Sequence, residues 1–252
     1  MKTFDEFVNM FTMSLKAEGF KKQGLNYRLT EDNNIALINI QKSMSSLSSY
    51  VKFTLNIGIH FKSLFFFSSG ETVLKPIIND CQWRERIGNM MPIKKDYWWE
   101  LHENSNVEEI ATNFTEIFST IIYPTIINNI SDTSFANNLF TNNITVPYPR
   151  ARHIYLSSLF CMNNDPRLYS SLTELKEYCD NNRLKDLYQL QLEKIEHRKN
   201  NIHKSIANII VSILFHRPKT KIATPVLVSS TPLFCRAIGN GALQYNCICH
   251  FL

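Results

Sequence analysis

From Tyr50 to His60 the chain reads Tyr-Val-Lys-Phe-Thr-Leu-Asn-Ile-Gly-Ile-His, with apolar residues at every odd position and polar or small ones at every even position. Side chains of a β-strand alternate between its two faces, so this run predicts a strand with one face in a core and one polar face. An α-helix repeats every 3.6 residues and cannot sort such a pattern. A chain that contains it must build a sheet. Any chemistry carried by that sheet stands on the face of Lys52, Thr54, Asn56 and His60.

The flanking sequence supplies the other elements of an α+β fold. Thr3-Phe4-Asp5-Glu6 is a capping-box pattern, and Phe4, Phe7, Val8, Phe11 and Leu15 recur at helical spacing until Gly19. Leu25-Asn26-Tyr27-Arg28-Leu29 and the segment 35–43, joined by the polar turn 30–34, read as a hairpin. Further strands are expected at 81–87 and 97–101, whereas the apolar run 64–67 fits either a buried segment or a helix turn. Asn106 with Glu109 caps a second helix, whose stripe Val107, Ile110, Ala111, Phe114, Ile117, Phe118 and Ile121 is expected to stop before Pro124. An antiparallel sheet of about five strands flanked by helices accounts for residues 1–130. Residues 131–215 read as an all-helical extension, with helices near 133–141, 150–162, 166–180 and 183–215.

Charge separates the end of the chain from the rest. All 22 Asp and Glu residues lie at or before Glu196, while 7 of the 27 Lys and Arg residues follow it. The net charge of +5 therefore belongs to the C-terminal segment. Residues 216–252 read as a basic, acid-free tail, either flexible or foreign to the domain. Nucleic-acid binding through Arg198, Lys199, Lys204, Arg217, Lys219 and Lys221 is one function class this suggests, against which stands the lack of aromatic residues alternating with the charges. No apolar run approaches the roughly 18 residues of a membrane helix, and acids near the N-terminus disfavour a secretion signal, so a cytoplasmic chain with no membrane partner is expected. Cys81, Cys161, Cys179, Cys235, Cys247 and Cys249 follow no framework spacing and are expected as thiols.

Several motifs in order resemble one family. They are residues 4–22, then Asn39-Ile40-Gln41-Lys42-Ser43, Phe53-Thr54-Leu55-Asn56-Ile57-Gly58, Cys81-Gln82-Trp83-Arg84-Glu85-Arg86-Ile87-Gly88 and Trp98-Trp99. Together, over about residues 4–125, they resemble the bacterial proteins grouped as domain of unknown function 4304. The resemblance implies a small bacterial α+β domain with no established activity. Some small domains of this kind sit beside toxin genes as immunity proteins, and the resemblance implies that context as one for this chain.

Familiar catalytic devices are missing from the sequence. Seven glycines form no phosphate-binding cluster, and there is neither a His-Glu-X-X-His nor a Gly-X-Ser-X-Gly motif. His197 and His203 stand six apart rather than four, and Cys247-Ile248-Cys249-His250 lacks both a fourth ligand and the usual spacer, so no metal or other cofactor is expected. A period of two on each strand collects Asn26, Arg28, Asn39, Gln41, Lys52, Thr54, Asn56, His60, Arg84, Arg86, Trp98 and Glu100 on one face. Of these, Asn39, Gln41, Lys52, Asn56, His60, Arg84, Arg86, Trp98 and Glu100 are the candidate binding face. Arg and Trp are enriched where a surface grips a partner. The leading expectation is a non-catalytic protein-interaction domain, with immunity as one setting. A catalytic use of His60 with Glu100 or Arg84 is the weakest alternative. A structural ion-pair cluster of Arg84 and Arg86 with Glu100 is a further reading of the same residues.

Overall fold

The computed structural model of the chain describes residues 2–47 and 49–215, apart from the side chains of His203 and residues 208–215. Expectations about the 216–252 tail, including Arg217, Lys219, Lys221 and the Cys247–His250 cluster, lie outside the described residues. The chain divides into two compact units, residues 1–205 and 206–252. The first contains the sheet and its helices.

Helix α1 (Lys2–Ala17) buries Phe4, Phe7, Val8, Phe11 and Leu15 along one stripe. Gly19, at φ +84°, turns the chain out of the helix in the left-handed conformation that glycine adopts without strain. Strands β1 (Lys21–Gln23), β2 (Asn26–Glu31), β3 (Asn34–Lys42) and β4 (Tyr50–His60) then form a continuous antiparallel meander. Asp32 and Asn33 both have positive φ between β2 and β3, the conformation that suits a two-residue hairpin turn to the twist of its strands. Strand β1 has three exposed polar residues and carries no apolar alternation, so pattern alone does not reveal it. The ambiguous run 64–67 lies in helix α2 (Lys62–Ser69), which ends on Gly70 in the left-handed conformation.

Strands β5 (Trp83–Arg86) and β6 (Trp99–His102) both pair with the free edge of β4, at residues 56–59 and 50–53 respectively. The sheet thus has six antiparallel strands, one more than the sequence pattern predicts. Between β5 and β6 the chain makes a short helix, α3 (Ile87–Met90), and an excursion that leaves and returns to β4. Helix α4 (Val107–Ile117) opens on an Asn106 side-chain cap, as expected. It does not stop before Pro124. A π-helical turn (Phe118–Ile122) leads directly into α5 (Tyr123–Ile127), where Pro124 occupies the first turn. A missing N–H costs little there, because first-turn amides have no intrahelical acceptor. Helices α6 (Asp132–Phe140), α7 (Pro149–Met162), α8 (Leu168–Asn181) and α9 (Lys185–Phe215) follow the predicted helical segments closely.

The core lies on the odd-numbered face of β4. Phe53 sits within 4.9–5.5 Å, centroid to centroid, of Phe4, Phe7 and Phe114, drawing α1 and α4 onto the sheet. The boundary expected near residue 130 is not a break in packing. Phe135 of α6 stacks on Phe61 at 4.2 Å, and Asn34 donates to the Ile130 carbonyl at 2.9 Å. One hydrophobic core runs from Phe4 through Phe160 to Ile195, so the helices after 130 extend the first core rather than build their own. Among the described residues no helix is long and apolar enough to cross a membrane.

Gly88 marks the tightest point of the β5–β6 excursion. A Cβ there would lie 2.0 Å from the Lys95 carbonyl oxygen and 2.7 Å from the Tyr97 nitrogen, both backbone atoms that cannot swing away. Gly88→Ala is expected to destabilise the protein by about 1–3 kcal/mol through this overpacking, measured by urea denaturation. An unchanged midpoint would show that the excursion adjusts freely.

Candidate functional site

Register fixes the even-numbered face. Asn26 lies opposite Asn39, Asn39 opposite Asn56, and Asn56 opposite Arg86, so four polar residues from four strands form one row across the sheet. Their side chains join in a single direction. Arg86 donates Nε–H to Asn56 Oδ1 at 3.4 Å, Asn56 Nδ2 donates to Asn39 Oδ1 at 3.3 Å, and Asn39 Nδ2 donates to Asn26 Oδ1 at 2.9 Å. Asn56 also donates to Gln41 Oε1 at 2.8 Å, and Arg86 Nη2 reaches the same oxygen at 3.4 Å. Aligned hydrogen bonds polarise one another, so the row acts as a unit rather than as separate amides.

Two residues away on β5, Arg84 projects from the same face and donates through Nη1 to Asn79 Oδ1 at 3.1 Å. Asn79 belongs to a short 3₁₀ turn (Ile78–Asp80) that folds back over the sheet. These groups line a cleft of ≈ 550 Å³ with Ile77 and Ile78 along one side. Its lining holds two arginines, five amide side chains and no carboxylate.

The rim carries the acid that the cleft lacks. Arg86 Nη1 donates to both Asp96 oxygens, at 2.9 and 3.0 Å, and Trp98 Nε1 donates to Asp96 Oδ2 at 3.0 Å. The Arg86 guanidinium lies 5.3 Å from the centroid of the Trp98 ring. Hydrogen bonds from Arg86 first and Trp98 second hold the Asp96 carboxyl below its ordinary value. The expected cluster of Arg84 and Arg86 with Glu100 does not form, since Glu100 pairs with Lys52 at 3.1 Å. Trp98 precedes β6 instead of lying in it, and reaches the face through Asp96.

Three sequence candidates fall outside the cleft. Lys52 and Glu100 face each other toward the opposite end of β4. His60 shares the face by register, but it is fully buried. Its Nδ1 lies 2.9 Å from the Asp80 carbonyl, which can only accept, so Nδ1 carries the proton and Nε2 is left without a partner. The Phe65 ring covers it at 5.1 Å. Eight residues along one strand separate His60 from Lys52 and the Glu100 opposite it, about 26 Å at the rise of an extended chain. The catalytic pairing of His60 with Glu100 is therefore excluded by geometry. Thr54 is also buried, and donates to the Tyr97 carbonyl at 2.8 Å.

The segment that buries His60 also closes one end of the face. Cys81 and Ile78 pack on Ile35 and Leu37, forming a small second cluster. Gly58 permits it, because a Cβ there would stand 2.8 Å from the Cys81 sulfur. Burial pushes the Cys81 thiol up to about 12, so it is a packing group and not a nucleophile. Asn79 and Asp96 are the site residues that sequence reasoning missed. Both come from connections without periodicity, and only the nearness of Asp96 to Trp98 hinted at a role.

Residues 11–128 match the family model described as Domain of unknown function (DUF4304). That stretch, a little under half of the chain, is similar to the DUF4304 family. It contains every cleft residue and ends before α6, so the match includes the site and leaves out the helices that continue its core. No curated protein and no solved structure matches the chain.

Outside the stretch that matches DUF4304, Arg198, Lys199 and Lys204 are the described members of the basic segment. Lys199 lies 5.9 Å from the centroid of the Tyr169 ring. Among the described residues no three His, Cys, Asp or Glu side chains gather as a metal would require.

The sign of the Asp96 shift makes the rim pH-dependent in a stated direction. A carboxyl depressed in the fold contributes stability above its unfolded value, which is lost as pH falls through the folded one. Arg86→Gln is expected to return the Asp96 titration toward its ordinary value, and Trp98→Phe to do so by less, as followed by NMR of the side-chain carboxyl. No shift in either variant would show that these two bonds do not hold the carboxylate, and equal shifts would overturn their order.

Proposed function

We propose that the DUF4304-like domain of this chain is a non-catalytic protein-interaction module, and that the cleft on the even face of its sheet is where the partner sits. One observation carries this reading. Forked donors and amides from four strands and the 78–80 turn converge on an open cleft, while the face's histidine is sealed away and its thiol is buried. Arginine and amide side chains recognise carboxylates and peptide groups, and Trp98 on the rim supplies the rigid apolar area that anchors interfaces.

The setting we infer is a bacterial cytoplasm, with an immunity-like role as the narrower form of the reading. Cys81, Cys161 and Cys179 as buried free thiols fit a reducing compartment, and the bacterial and immunity-like context rests on the family resemblance.

A photo-crosslinking residue placed at Gln41, on the exposed rim, tests the reading in cells. It is expected to trap a discrete protein adduct, whereas the same group at exposed Met13, on α1 across the core, traps none. Adducts from both positions alike, or from neither, would overturn the assignment of this face.

A further inference from the structure

The two arginines of the cleft are not equivalent. A guanidinium has five N–H donors. Arg86 spends its donors within the chain, on Asn56 through Nε, on Asp96 through Nη1 and on Gln41 through Nη2. Arg84 makes one such bond, to Asn79. Its remaining donors line the same cleft, which contains no acid to receive them.

Resting on the protein-binding reading above, we infer that Arg84 is the anchor of the site and receives a carboxylate side chain from an extended acidic segment of the partner, with Arg86 as a positioning residue. Charge complementarity identifies the occupant. The guanidinium fork matches the two oxygens of a carboxylate and forms paired charge-assisted hydrogen bonds with it. A phosphate dianion fits less well, because one arginine is free to meet it and the Asp96 carboxylate on the rim repels the second charge.

The cleft also suits an extended chain. Three strand-to-strand intervals separate Asn26 from Arg86, about 14 Å, the length of roughly four extended residues. Along that line the amides of Asn26, Asn39 and Asn56 offer donors and acceptors to the peptide groups of a chain laid across the strands. Ile77 and Ile78 offer an apolar wall to intervening side chains.

Arg86 positions this floor without meeting the carboxylate. Its Nε holds Asn56, and Asn56 holds both Asn39 and Gln41, so the amides keep one orientation. Asp96 fixes Arg86 in turn, and the whole row is set before a partner arrives. Such preorganisation lowers the ordering cost of binding.

Fluorescence anisotropy on the full chain at low salt tests this with two labelled, end-blocked hexapeptides, one alternating Glu with Ser and one alternating Gln with Ser. The Glu peptide is expected to bind, and exchange of its Glu for Gln to weaken it about tenfold or more. Arg84→Gln is expected to cause a comparable loss, and Arg84→Lys a smaller one because the charge stays but the fork is gone. Lys16→Gln, an equal change of charge on α1 across the core, is expected to leave the affinity within about twofold. Acetate is expected to compete better than inorganic phosphate.

Equal binding of the two peptides, equal losses from Arg84→Gln and Lys16→Gln, or stronger competition by phosphate would each overturn the inference. If neither peptide binds while the Gln41 crosslink forms, the acidic occupant is wrong and the protein-binding reading survives. If the Glu peptide binds through Arg84 but no crosslink forms, the anion site stands and that broader reading falls.

Discussion

Strand β4 is the member on which the remaining structure depends. It pairs along eight residues with β3 on one edge, and on the other edge it holds both β5 and β6 end to end. Removing it would leave three separate fragments of sheet. Its period of two also settles the chemistry of both faces at once. Phe53, Leu55, Ile57 and Ile59 are fully buried on the core side, which draws in the Phe-rich stripes of α1 and α4. The opposite side must then present Lys52, Asn56 and Gly58, and the strands paired with β4 are held to the same parity.

Two strands sharing one edge create the site. Because β5 and β6 leave a gap on β4, the chain between them must depart and return, and Gly88 makes the close backbone approach that this requires. The excursion delivers Asp96 and Trp98 to the rim from outside the sheet. The connection before β5 does the converse and folds the 78–80 turn onto the far end of the same face. One loop therefore holds His60 through the Asp80 carbonyl, beside the Phe65 ring that covers it, and the other props Arg86. What lies between them is the cleft. Its polarity is inherited from strand alternation, and its limits come from loops.

Legibility in the sequence follows the same division. Strong periodicity revealed β4, α1, α4 and α6 to α9, because burial against a large core forces a repeat that a linear pattern can record. The face shared by Asn39, Gln41, Asn56, Arg84 and Arg86 was legible for that reason too. The burial of His60 was not, since parity says which side a residue takes and nothing about what lies over it. Trp98 was assigned to a strand because alternation cannot locate a strand's first residue, and the two adjacent tryptophans fit either start. Lys52 and Glu100 were placed correctly on the face, but distance along β4 removes them from the cleft. The missing stop at Pro124 has a local cause. The π turn resets the helix, so that proline falls in a first turn where its lost donor is harmless.

The helices after residue 130 bear on the site through the core. Asn34, at the start of β3, donates to the Ile130 carbonyl and to Asp132, and accepts from the Lys62 amide through Oδ1. This one buried side chain ties β3, α2 and α6 together. Helix α2 begins where β4 ends, and its Phe65 covers His60, so the packing of α6 on Phe61 and of α7 on α2 helps hold the closed end of the face. An amide cleft needs a rigid floor, because each residue in a directional row depends on the orientation of the one before it. Extending the core beyond the DUF4304 stretch supplies that rigidity from the side of the sheet opposite the cleft. The row of Asn26, Asn39 and Asn56 can then stay open to solvent without being free to reorient.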